Sequence, residues 1–362
     1  MRATDDLRTF ERMTRFRHFS ATTTARRGPV ALLAISGLAL TPARAVQTTA
    51  PPPEPAASPD VATVATFGSG LGSGSAIGPD GAIYVTDGNA GTVERIDPAT
   101  GTVTRVGSGL PPQVLGIGGA MDVAFIDDTA YVLVTMVGGD IVDGDPIGDD
   151  VVGIYRLDDD GTFSVVADIG AWSVEHPPTT DFFITTGVQY ALQPTPDGFL
   201  VTDGHHNRVL RVGLDGAVDE IATFGNVVPT GLASAHDTVF VGLAGPLPHL
   251  PEDGQVLELP ADSAAEPSTV ASGASMIVDV EADGEQLYAL SQGAWDDVQE
   301  GSPAEPDTGR LVIVGSDGTM TPVSDSAGAE IVLDRPTSLE LVDGTAYVVT
   351  LAGELLSIQI RG

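Results

Sequence analysis

His205 and His206 stand side by side two residues after Asp203, in the stretch LVTDGHHNRVLRVGLDG. Two imidazoles beside a carboxylate are the materials of a metal ligand set, or of a general base held by an acid. The chain supplies its own comparison. Residues 85–101 read VTDGNAGTVERIDPATG, with the same VTDG, a short polar turn, an alternation around an arginine (Arg95 here, Arg211 there) and an Asp-containing turn. This copy has Asn89 and Ala90 where the other has its histidines. The scaffold therefore does not need histidine there. The expectation is a solvent-facing turn, with a ligand-binding or catalytic role for His205 and His206 as the alternative.

Other residues carry weaker signals. Asp140, Asp143, Asp145, Asp149 and Asp150 crowd one stretch, but the glycine and glutamate of an EF-hand loop are missing, so a solvated loop is the expectation. Trp172 and Trp295 each lie in a long irregular segment. They form either an apolar ligand shelf or the packing of their own loops, and the second is expected. His176, His236 and His249 have no second histidine at metal spacing. No G-x-S-x-G, P-loop or dinucleotide fingerprint is present. The run GSGLGSGS (68–75) precedes a strand rather than a helix, which argues against a phosphate cradle.

The elements that must position these residues repeat six times. Each unit has an apolar stretch, an Asp/Gly hairpin, a second strand ending in Tyr-Val or its equivalent, a connection, a third strand, another turn and a fourth strand. The units span 75–109, 121–170, 188–225, 230–273, 277–325 and 336–360. The last stops after three strands. Residues 61–68, VATVATFG, resemble the fourth strand of unit three, DEIATFG, and supply the missing one. This is an all-β six-bladed β-propeller of four-stranded antiparallel blades, closed by an N-terminal strand that completes the last blade. No convincing helical periodicity occurs beyond residue 60. Turns such as Asp80-Gly81 and Asp215-Gly216 are hairpin chemistry, not catalytic carboxylates.

In this fold the first strand of each blade lines the central channel. Aligning the units on their hairpins puts Ser75, Asp122, Gln189, Thr230 or Gly231, Asp279 and Ser338 at equivalent starting positions. Asp122 and Asp279, three blades apart, would face each other. A ring of carboxylates, an amide and hydroxyls suits a hard divalent cation, Ca2+ or Mg2+, with Asp122 and Asp279 as its ligands. The plainer reading is that these groups hold channel waters and bond backbone amides. The long segments (137–150, 171–187, 244–254 and 292–309) all fall on one rim, which marks that face as the working surface.

The 362 residues hold 16 arginines, no lysine and no cysteine. From residue 46 onward, 8 arginines stand against 47 acidic residues. Such a body repels nucleic acid and anionic membrane, so neither is expected as a partner. Residues 1–45 hold the other 8 arginines. There a basic stretch ending at Arg26-Arg27, the apolar run GPVALLAISGLAL and Ala43-Arg44-Ala45 read as an export signal, too short to span a bilayer. Met13 is an alternative start. Residues 46–60, with five prolines, read as a disordered linker, and 61–362 as the propeller. The expected location is outside the bacterial cytoplasm, in the envelope or beyond, and the expected form is a monomer.

Several stretches together resemble the ScyD/ScyE family: VPTGLA (228–233) followed by VFVGLAGPLPHLPEDGQVLEL, the TDGHHNRVLRV segment, VEHPP (174–178), and the Asp-Val-Ala and Val-Asp-Val of units two and five. The resemblance covers 61–362. It departs at Gly187-Val188-Gln189-Tyr190 and at Gly204-His205-His206-Asn207. It implies an exported propeller and no defined reaction. More distantly the repeat is similar to NHL and gluconolactonase-type propellers. The latter resemblance implies a divalent metal at the channel, with counterparts only at Asp122 and Asp279.

Two readings follow. The first is a secreted binding or scaffold module that holds a small molecule, glycan or protein through the loop-rich face and channel, with Ser75, Gln189, Ser338, Trp172, Trp295, His205 and His206 as candidate contacts. The alternative is a divalent-metal-dependent lactonase- or lyase-like enzyme at the channel mouth, with Asp122 and Asp279 on the metal and His205 or His206 as base. Missing general-base geometry favours the first.

Overall fold

The computed structural model describes residues 60–68, 72–236, 238–259, 267–295 and 302–360. The expected signal segment and nearly all of the expected linker lie outside them. Asp60 is the exception. Its carboxylate accepts from the Ser326 backbone N–H (3.1 Å) and hydroxyl (2.6 Å), so it belongs to the propeller.

Six four-stranded antiparallel sheets follow one another as the repeats require. Their inner strands are Gly72–Ile77, Gly119–Ile126, Gln189–Thr195, Pro229–Ala235, Ile277–Asp283 and Pro336–Val342. Each touches the next, and the last touches the first, which closes the ring. The sixth blade takes its outermost strand from Val61–Thr66, paired antiparallel with Glu354–Gln359. The terminal strand therefore pairs an edge that would otherwise be open.

Six slabs of the core lie one between each pair of neighbouring blades, and a seventh, smaller cluster of Met136, Ile147, Ile184 and Val188 lies under the long segments. That is why second strands read as near-continuous apolar runs: Thr129–Thr135 and Gly198–Asp203 are covered on both faces. Between blades two and three, Tyr131 meets Phe199 with ring centroids 5.0 Å apart.

Two local features differ from expectation. Ile169–Glu175 in the link into blade three is a seven-residue α-helix, capped by the Asp168 side chain on the Ala171 N–H at 2.7 Å. A helix this short is held by packing rather than propensity, and Ile169 and Trp172 pack into the slab between blades two and three. The acidic 137–150 stretch is a small hairpin of Gly138–Asp140 and Pro146–Asp149, pinned to the same link by Thr185 Oγ1, which accepts from Asp140 N at 3.0 Å.

Candidate functional site

Every inner strand carries one extra residue relative to its partner, a β-bulge at the same place in all six blades. The bulges set a common level around the channel, occupied in turn by Gly74, Asp122, Ala191, Gly231, Asp279 and Ser338. Gly231, Asp122, Asp279 and Ser338 fall where the hairpin alignment put them. Ser75 is one residue beyond the level and Gln189 two residues before it. Gln189 is fully buried between blades two and three, where it bonds Thr135 and the Thr186 carbonyl.

At this level the side chain of one blade reaches the backbone of the next. Asp122 Oδ2 accepts from Leu192 N (2.7 Å), Asp279 Oδ2 from Leu339 N (2.8 Å), and Ser338 Oγ from Ser75 N (3.0 Å). Gly74 and Gly231 have no side chain to offer, and a Cβ on either would run into Asp122 or Asp279. The N–H groups they leave, on Val123 and Val280, are taken by the other oxygens, Asp122 Oδ1 (2.8 Å) and Asp279 Oδ1 (2.9 Å). Each aspartate therefore serves two blade junctions with both of its oxygens.

From this level towards the first hairpins the channel widens into a cavity of about 240 Å3. Its polar wall includes the carboxyls of Asp122, Asp279, Glu281 and Glu340 and the hydroxyls of Ser75 and Ser338, and no basic side chain lines it among the described residues. The cavity thus lies in the half of the channel nearer the short turns, not the half beneath the long loops. Glu281 and Glu340 are the residues that sequence reasoning missed. The signal was present, since Asp279-x-Glu281 and Ser338-x-Glu340 put each pair on one side of a strand.

Burial governs the chemistry of this wall. It pushes Asp122 well above the usual carboxylate range, against the pull of the Leu192 and Val123 N–H groups and with the Asp279 charge adding to it. Burial raises Asp279 to about 7, although the Leu339 and Val280 N–H groups and the Ser338 hydroxyl oppose it. Glu340 is raised to about 8 by burial and by the Asp279 charge, with the Ser75 hydroxyl and the Ile77 N–H holding it back. Burial and the charges of Glu340 and Asp279 lift Glu281 well above its ordinary value. Asp279 and Glu340 therefore exchange protons near neutrality, and Asp122 and Glu281 are shifted in the same direction.

A divalent cation does not fit the donors as they stand. Among the described residues no three His, Cys, Asp or Glu side chains converge on a point that could hold one. All four oxygens of Asp122 and Asp279 already accept backbone N–H groups.

The tandem histidines are not a solvent-facing turn. His206, Asn207 and Arg208 are buried. Asp203 Oδ2 lies 3.1 Å from His206 Nδ1 and 3.0 Å from Arg208 Nε, and its other oxygen accepts from Val188 N. Burial raises the Asp203 carboxyl, but the His206 and Arg208 contacts outweigh it and leave the group below its ordinary value. Arg208 also bonds Ser173 and the His176 carbonyl and lies 4.9 Å from the Trp172 ring centroid. His205 Nε2 accepts from two backbone groups, Phe183 N (2.9 Å) and Ile184 N (3.1 Å). The cluster thus fastens the 169–187 link to blade three. Neither histidine lines the channel cavity.

The tryptophans pack separately. Trp172 stacks on His176 with centroids 4.3 Å apart, and Trp295 meets His249 edge-on and donates to the Ser302 carbonyl.

No family model matches the chain, and no curated protein matches it. Solved structures do. A gluconolactonase from Xanthomonas campestris aligns over 83% of this chain and 89% of its own, with 14% identity and a TM-score of 0.57. A calcium-binding regucalcin from Agrobacterium tumefaciens aligns over 83% and 94%, with 12% identity and a TM-score of 0.54. A putative gluconolactonase aligns over 84% and 95%, with 12% identity and a TM-score of 0.53. At these identities the likeness establishes the propeller fold.

Proposed function

We propose that this protein is a lactonase- or esterase-like hydrolase acting on small neutral molecules in the central cavity. The observation that carries the reading is the set of channel carboxyls, with Asp279 at about 7 and Glu340 at about 8 in one cavity. Groups that gain and lose protons near neutrality are what acid–base catalysis needs. The size of the cavity, below the roughly 300–1,000 Å3 of common ligand pockets, limits it to a small ligand. No basic side chain among the described residues lines the cavity to hold an anion, so the ester enters neutral and the carboxylate product is not retained. The gluconolactonases among the structural neighbours support the reaction class.

His205 and His206 take no part in this reading, and no step passes through a metal. The test is proton release from a panel of neutral lactones and esters, followed in a pH-stat. Turnover that drops about 100-fold or more in Glu340→Gln supports the reading. An inert wild-type protein with no stabilising ligand in the panel overturns it.

A second reading draws on the loop-rich rim, where Val114, Ile117, Val142, Phe183, Leu247 and Leu250 are exposed. Apolar residues gathered on long loops suit the binding of a small molecule, glycan or protein, as in an exported module of ScyD/ScyE type. Pull-down with wild-type protein against a Leu247→Asp/Leu250→Asp variant separates this reading from the first. Residues 1–45 support export in either case.

A further inference from the structure

The position just beyond the channel level is apolar in five blades: Val123, Leu192, Leu232, Val280 and Leu339. In blade one it is Ser75. The Ser75 hydroxyl donates to Glu340 Oε1 at 3.2 Å and lies 2.8 Å from Ser338 Oγ. Ser338 Oγ also accepts from the Ser75 N–H, which fixes the backbone that carries the hydroxyl. Glu340 is itself held by the Ile77 N–H. Ser75 and Glu340 both line the cavity, although 265 residues separate them.

We propose that Ser75 is a nucleophile and Glu340 its general base, forming a serine–carboxylate pair that accepts an acyl group from an ester in the cavity. A nucleophile within hydrogen-bond reach of a base that a third group orients is the required arrangement. The junction of blades six and one explains Ser338 Oγ on the Ser75 N–H, as it does the aspartates elsewhere. It does not explain a hydroxyl aimed at a buried carboxylate where the other five blades place Val or Leu. A proton affinity raised by burial makes Glu340 a stronger base than an exposed glutamate.

The step balances. Ser75 Oγ bonds to the ester carbonyl carbon while its proton passes to the Glu340 carboxylate. Collapse of the tetrahedral species breaks the acyl C–O bond, and the departing alkoxide takes the proton from Glu340. In a lactone this alcohol stays tethered to the acyl chain. Water then attacks the acyl-serine with Glu340 again accepting the proton. The carboxylic acid leaves and Ser75 recovers its hydrogen.

The proposal takes its ester substrate from the function argued above, but its test does not need that substrate. A fluorophosphonate probe forms an O–P bond with an activated serine and releases fluoride. We expect the full-length protein to be labelled at Ser75, located by peptide mapping, and to lose the label on prior unfolding. Labelling should slow about 100-fold or more in Glu340→Gln and vanish in Ser75→Ala. Mapping of the wild-type protein gives the answer even if a variant does not fold. No label, a label at another residue, or unchanged labelling in a folded Glu340→Gln variant overturns the proposal. Label at Ser75 without turnover of any ester would keep the nucleophile and remove the lactonase reading. Ester turnover by Ser75→Ala would do the reverse.

Discussion

Asp203 is a buried carboxylate whose cationic partner, Arg208, is equally buried, and their bond holds a loop rather than a substrate. Breaking such a pair leaves an uncompensated charge, so Arg208→Met should cost about 3–5 kcal/mol. Urea unfolding at pH 7 measures it. The double variant with Asp203→Asn should cost less than the sum of the two, because the second change removes the stranded charge.

Titration at the residue scale runs in two directions. Burial, and then the neighbouring His206, lower His205 from 6.5 to about 4, so its contribution is present above 6.5 and is lost as the pH falls towards 4. Glu340 is raised from 4.5 to about 8, so its contribution is present below 4.5 and is lost as the pH rises through 8. Stability measured from pH 4 to 8.5 at fixed ionic strength should therefore lose part of its acid-side slope in His205→Gln, whose amide oxygen can accept the same two N–H groups without titrating, while His249, also lowered by burial, keeps the remainder. It should lose part of its alkaline-side slope in Glu340→Gln. A variant curve parallel to wild type would mean that the group does not titrate with folding.

At the scale of elements, the bulged inner strand is the unit that builds the site. It turns one residue per blade towards the next blade, and the Gly74–Asp122 and Gly231–Asp279 junctions work because glycine leaves room for the carboxylate. A methyl group at Gly231 would meet the backbone of Asp279, so Gly231→Ala should cost at least about 1–3 kcal/mol of stability. Gly225→Ala is the control, since nothing lies within 4 Å of its added Cβ. Equal melting temperatures for the two variants would refute the account of the junctions.

Repetition explains what was legible at this scale. Strand order, turn chemistry and the shared last blade all follow from period-two patterning in six copies. The helix at 169–175 did not show, because packing against blade three holds it rather than an amphipathic period. The offsets of Ser75 and Gln189 from the channel level did not show either.

For the whole molecule, the ring decides what the channel can hold. Melting of the chelated protein, repeated with millimolar Ca2+, Mg2+, Mn2+ or Zn2+ at matched ionic strength, should show no ion-specific rise, since the aspartate oxygens are engaged and no three ligands converge. Ionic strength must be matched because any cation screens so acidic a body. A rise of several degrees specific to one ion, and lost in Asp122→Asn/Asp279→Asn, would instead place a metal between blades two and five.

The sequence by itself determined the propeller, its blade count and its closure, because those depend on local patterning repeated along the chain. It also placed Asp122 and Asp279 in the channel. Only the tertiary structure decided what the polar residues do. The histidines proved to be fasteners because their partners, Phe183 and Ile184, come from a distant link. Glu281 and Glu340 became a cavity wall, and Ser75 met Glu340, because ring closure brings the two ends of the chain into one junction. Contacts between residues hundreds of positions apart leave no periodic trace in the sequence, and it is those contacts that set burial, proton affinity and reach.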